Sequence, residues 1–132
     1  MVYGIGIDIV EIDRFERALA RWGNRLCERI FTPRELSACG NRVRPGRHLA
    51  VRFAAKEAFL KAAGIGMFQG VAWREIEILN DSSGRPYLQI SGKADRICQD
   101  RGINKMLLSM SHEANYGVAN VLLEADGKPH TV

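Results

Sequence analysis

The sequence predicts an α+β fold, with a mainly antiparallel sheet packed against one long helix in a single small domain. Three observations predict it. Tyr3 to Val10 alternates in polarity with the period of a strand. His48 to Ala63 runs without glycine or proline, is rich in alanine and stops at Gly64, as a helix does. Two strand–turn–strand patterns with one short helix between them fill the second half. The chain has 132 residues, enough for one hydrophobic core. That core is expected over residues 1–125, with a polar, frayed tail at 126–132.

Each element has a local reason. Tyr3, Ile5, Ile7 and Ile9 point one way and Gly4, Gly6 and Asp8 the other, which gives the first strand a packed face and a bare face. Asp13 and Glu16 form a capping-box-like helix start. Gly23-Asn24 ends that helix and caps a short second one reaching Arg29 or Ile30. Thr32-Pro33-Arg34-Glu35 combines a capping threonine, a proline at the first helical position and a glutamate at the third. Residues 40–47 read as a loop. The long helix follows, then a loop from Gly64 to about Gly70. A hairpin of Trp73–Leu79 and Tyr87–Ile90 turns at Asn80-Asp81-Ser82-Ser83-Gly84. Ser91 caps a helix ending near Gly102. Lys105–Ser111 and Tyr116–Glu124 are strands joined by His112-Glu113-Ala114-Asn115.

Composition bounds the function. No apolar run approaches the ~20 residues that cross a bilayer. No secretion signal is apparent at the N-terminus. Cys27, Cys39 and Cys98 make neither a disulfide framework nor a zinc knuckle, so a reduced cytoplasmic protein is expected. The net charge of +4 is unevenly spread: segment 14–52 holds ten arginines against three acids. Such a run is either a solvated face or a docking surface for something acidic. Arg14, Arg17, Arg21 and Arg25 step by three or four along one helix face, opposite Phe15, Leu19, Trp22 and Leu26. No aromatic residue interleaves on the basic face, which argues against single-stranded nucleic acid.

The long helix and the first strand carry the chemistry-bearing residues. Arg52 and Lys56 form one polar edge of the helix, and Glu57 and Lys61 form another about 120° away. The Glu57–Lys61 side is flanked by Ala50, Ala54 and Ala58, so another backbone or a ligand can come close. Read alone, Glu57 and Lys61 make either a surface ion pair or part of a site. Asp8, on the glycine-lined strand face, must be solvated, paired with an arginine or bound to a cation. Asp8 and Glu57 together offer two hard oxygen ligands, which suits magnesium better than calcium. His112 is either a turn residue or a functional one. Gly64-Ile65-Gly66 lacks the lysine and serine of a Walker loop but can bring backbone N–H groups to a phosphate.

Gly6-Ile7-Asp8-Ile9-Val10-Glu11-Ile12 and Arg52-Phe53-Ala54-Ala55-Lys56-Glu57-Ala58-Phe59-Leu60-Lys61-Ala62 resemble the two signature segments of the bacterial holo-acyl-carrier-protein synthase family, the small class of 4′-phosphopantetheinyl transferases. Arg29–Glu35, Gly84-Arg85-Pro86-Tyr87 and Ser111-His112-Glu113 with Tyr116 extend the likeness over residues 1 to 124. The resemblance implies a magnesium enzyme that moves phosphopantetheine from coenzyme A to a serine of apo acyl carrier protein and releases adenosine 3′,5′-bisphosphate. It also implies a homotrimer with sites between subunits. By the same resemblance, Asp8 and Glu57 hold the metal, and Glu57 and Lys61 serve the reaction. Arg52, Gly64, Gly66, Pro86, Ser111 and His112 meet coenzyme A, and Arg14, Arg17, Arg21 and Arg25 dock the carrier. Ile65 stands where the family often has a hydroxyl residue, so no side-chain phosphate contact is expected there. The alternative is a non-catalytic, arginine-rich module that binds an acidic protein or nucleic acid, with Asp8 and Glu57 in structural salt bridges.

Overall fold

The computed structural model describes residues 1–66 and 69–126. Strand β1 (Val2–Glu11) leads into helix α1 (Ile12–Ile30), α2 (Pro33–Gly40) and the long α3 (Pro45–Ala63). After a 3-10 turn at Trp73–Glu75 come β2 (Ile76–Asn80), β3 (Pro86–Ile90), α4 (Gly92–Asp100), β4 (Ile103–Glu113) and β5 (Tyr116–Ala125). β1, β5 and β4 form one antiparallel sheet in that order, and β2 and β3 form a separate hairpin. The α+β class and the antiparallel pairing are as expected. The tail beyond Asp126 lies outside the described residues.

The glycines of β1 decide how α3 sits. A Cβ on Gly4 would collide with the carbonyl of Ala62, and one on Gly6 with the carbonyl of Ala58. The helix therefore lies directly on the strand, its alanines Ala54, Ala58 and Ala62 buried against the sheet. This reverses the expected facing of β1. The glycine face is the packed one, and Ile5, Ile7 and Ile9 are 64%, 60% and 67% exposed. Small residues allow a close helix–strand approach that isoleucines would block.

Other local expectations shift for identifiable reasons. α1 has no capping box at Asp13. Asn115 Oδ1 accepts from the Asp13 N–H at 2.8 Å, and Glu16 turns instead to Arg44. The break at Gly23 is real, with φ at 60°. Trp22 does not complete the apolar face of α1 but stands 58% exposed. Thr32 and Glu35 form the expected capping box. α3 begins at Pro45, three residues early, because proline opens a helix readily. Gly64 ends it with φ at 71°. Trp73–Glu75 is a helical turn and no strand, and Glu75 Oε1 caps α4 by accepting from Lys93 and Ala94, a role expected of Ser91. His112 and Glu113 continue β4, leaving Ala114-Asn115 as the connection.

Arg52 and Lys56 lie on no solvated edge. Lys56 Nζ is fully buried and donates to Glu35 Oε1 (2.7 Å), Ile76 O (2.7 Å) and Trp73 O (3.0 Å). Glu35 Oε2 in turn accepts from Ile78 N–H at 3.1 Å. Burial pulls the Lys56 ammonium below its usual pKa, and the Glu35 carboxylate opposes that pull. This network ties α2, α3 and the β2–β3 hairpin together.

Candidate active site

Because β1 lies flush against α3, Asp8 reaches the helix face that carries Glu57 and Lys61. Lys61 Nζ donates to Asp8 Oδ1 at 2.8 Å and to the Ile7 carbonyl at 3.1 Å. Among the described residues Lys61 makes no ion pair with Glu57; its partner is Asp8. The hydrogen bond to Asp8 raises the Lys61 pKa. Glu57 is half-buried, and burial followed by the Asp8 charge raises its carboxyl pKa, against the pull of Lys61.

Two carboxylates close enough for one to discourage ionisation of the other form a site that a hard cation relieves. Among the described residues no group of three or more metal-ligating side chains exists. Magnesium needs fewer, since waters and substrate phosphates complete its shell. Asp8 and Glu57 therefore fit that ion by donor chemistry. Glu57 and Lys61 also line a cavity of about 550 Å³, with Arg29, Ile65 and Gly66 on its wall. Gly64 spends its N–H on the Lys61 carbonyl (3.2 Å), and the Gly66 N–H donates to Gln69 Oε1 (2.7 Å).

A second cavity, of about 240 Å³, gathers Arg52, Pro86, Ser111 and His112, together with Arg42 and His48. It shares no lining residue with the first. Arg52 is 3% exposed, donates to Asn80 Oδ1 at 2.6 Å and lies 3.4 Å from the Ile78 carbonyl. Among the described residues no carboxylate pairs with it. A buried, unneutralised guanidinium is costly, and an anionic ligand removes that cost. No local signal in the sequence marks Arg42 or His48 for this site, because they meet Arg52 and His112 only through the fold.

The arginines of α1 stay exposed. Arg17 lies 3.9 Å from Glu11, Arg21 stacks on Trp22 at 5.1 Å, and Arg25 lies past the Gly23 break beside Trp22, Leu26 and Arg29. Arg14 is solvent-facing.

The sequence profile of the 4′-phosphopantetheinyl transferase superfamily matches residues 4–120. The chain belongs to this superfamily. Within it, the holo-[acyl-carrier-protein] synthase of Geobacter sulfurreducens is 46% identical, over 94% of this chain and 98% of that relative. The crystal structure of the Neisseria meningitidis holo-[acyl-carrier-protein] synthase superposes with a TM-score of 0.86 at 40% identity, covering 94% of this chain and 99% of that one. The Bacillus anthracis holo-(acyl-carrier-protein) synthase, solved in complex with CoA (3′,5′-ADP), gives 0.76 at 37% identity, covering 96% and 99%. The chain is thus a phosphopantetheinyl transferase enzyme of the holo-[acyl-carrier-protein] synthase type. Among the described residues no helix is long and apolar enough to cross a membrane.

Proposed function

We propose that this enzyme transfers 4′-phosphopantetheine from coenzyme A to a serine of apo acyl carrier protein in the cytoplasm, with magnesium held by Asp8 and Glu57, releasing adenosine 3′,5′-bisphosphate. The observation that carries the reading is the meeting of Asp8, Glu57 and Lys61 where β1 lies on α3. The serine Oγ attacks the phosphorus bonded to the pantetheine arm. The bond from that phosphorus to the bridging oxygen breaks, and the electron pair leaves with the bisphosphate. Bound magnesium would neutralise charge on the pyrophosphate oxygens. Glu57, beside Lys61 on the cavity wall, takes or orients the serine proton. Lys61 offsets the charge that grows on the leaving phosphate.

Arg52, Pro86, Ser111 and His112 hold coenzyme A, supported by the unneutralised charge of Arg52. Arg14, Arg17, Arg21 and Arg25 receive the acidic carrier, supported by their exposure. The working form is a homotrimer with sites between subunits. Its support is the exposed row Ile5, Ile7 and Ile9 on β1, which requires cover, and the separation of the two cavities within one chain. The test is release of 3′,5′-ADP from coenzyme A. Release that needs both apo carrier and magnesium, and stops with chelator, is expected. Carrier binding without any product would favour the non-catalytic module, and full release in chelator would remove the metal from the scheme.

A further inference from the structure

One imidazole in the Arg52 cavity has no part in the reaction above. His48, in the first turn of α3, meets His112 of β4 edge to face, with ring centroids 6.2 Å apart and planes at 85°. The charged groups that face it are Arg42 from the segment before α3, Arg47 and Arg52 from α3, and His112 from β4. The hairpin contributes Asn80, Gly84 and Pro86, none charged. Among the described residues no carboxylate lines the cavity. Among the described residues none of the three arginines has an ion pair, and Arg47 Nε is buried without a hydrogen-bond partner.

Arg42, His48, Arg52 and His112 line one small cavity, Arg47 adds its charge beside His48, and no acid is among the lining residues described, which makes a site for a dense anion. In the free protein, burial and then Arg42, Arg47, Arg52 and His112 lower the His48 pKa, which favours the neutral ring. An arriving phosphate reverses the balance, because its charge offsets the arginines and favours a second donor N–H on the imidazole. We propose that His48 joins His112 in a proton-responsive clamp on a phosphate group of coenzyme A, taking up a proton as the ligand binds. This rests on the assignment of coenzyme A to the Arg52 cavity. The sign follows from linkage. A ring whose pKa rises on binding adds affinity in full below its free-state pKa and loses it as pH rises through its bound-state pKa.

The test is calorimetric titration of the intact enzyme with coenzyme A at pH 6.5 and pH 8, in buffers of different ionisation heat. Wild type should bind about tenfold tighter at the lower pH, the scale of one charge-assisted hydrogen bond gained. It should also take up more protons than His48→Gln. His48→Gln should bind within about twofold of wild type at pH 8, where the ring is neutral, and should lose most of the gain at pH 6.5. His48→Phe, which fills the space without a titrating group, should show the same flattened profile. Thermal melts confirm that both variants fold. Variants that keep the wild-type pH gain and proton uptake overturn the clamp alone. A wild-type enzyme that does not bind coenzyme A at either pH overturns the coenzyme A assignment and the clamp with it.

Discussion

Arg52 and Lys56 stand one turn apart on α3, and both are buried cations, 3% and 0% exposed. Lys56 is fully compensated, with a carboxylate at 2.7 Å and two carbonyls. Arg52 has an amide oxygen and a distant carbonyl but no counter-charge among the described residues. Burial therefore does not separate a structural charge from a functional one; the accounting of partners does. A cation whose partners are complete holds the fold together, and one left short is a candidate ligand contact. Asp8, Lys61 and Glu57 repeat the lesson on the neighbouring face of the helix. Lys61 is matched by Asp8, and Glu57 is left beside a like charge.

The comparison breaks most visibly at Glu35. Glu35→Ala strands the Lys56 ammonium in the interior and should cost about 3–5 kcal/mol of stability, read as a large fall in denaturant midpoint. It should act through the fold, so residual folded enzyme keeps its coenzyme A affinity. Glu57→Gln should do the reverse. Catalysis should fall by about 100- to 1000-fold in kcat, the usual loss when one preorganised charge is removed. Stability should hold or rise slightly at pH 7. The sign is opposite to that of an ion-paired acid. With its folded pKa above the unfolded one, Glu57 favours the native state when protonated and opposes it as pH climbs through that pKa. Removing the charge lifts that opposition, and melts across pH 4–8 should show a flatter profile for the variant.

Asn80→Asp sharpens the contrast by making Arg52 resemble Lys56. A carboxylate would then stand where the amide oxygen lies 2.6 Å from the guanidinium. Melting temperature should hold or rise, while coenzyme A affinity falls about tenfold, the loss of roughly one charged contact. Unchanged affinity would mean that Arg52 is structural after all. The smallest effect is expected at the rim. Arg14→Glu or Arg21→Glu should raise the Michaelis constant for the carrier by several-fold at low salt and leave coenzyme A binding alone. That difference should shrink as salt is added, because exposed charges act through screened attraction.

The sequence carried the local features well and the long-range ones poorly. Gly64 as a helix stop, Thr32 and Glu35 as a capping box and the break at Gly23 all depend on neighbours in the chain, and each is present. The facing of β1 was misread, because alternation shows that two faces differ without saying which one a helix covers. Gly4 and Gly6 held the answer, since a strand face without side chains is where another backbone can lie. The Glu35–Lys56 pair spans 21 residues of sequence, and nothing local announces it. Asp8 and Glu57 were legible only as a matched pair of motifs. His48 was missed because its partner His112 lies 64 positions away, on another element.

The most direct test is the intact mass of an apo acyl carrier protein after incubation with this enzyme, coenzyme A and magnesium. A gain equal to one phosphopantetheine group, absent with Glu57→Gln and absent in chelator, is the predicted result. A carrier whose mass does not change with folded wild-type enzyme, or a full gain with Glu57→Gln, would contradict the central claim that the Asp8–Glu57–Lys61 cluster performs the transfer.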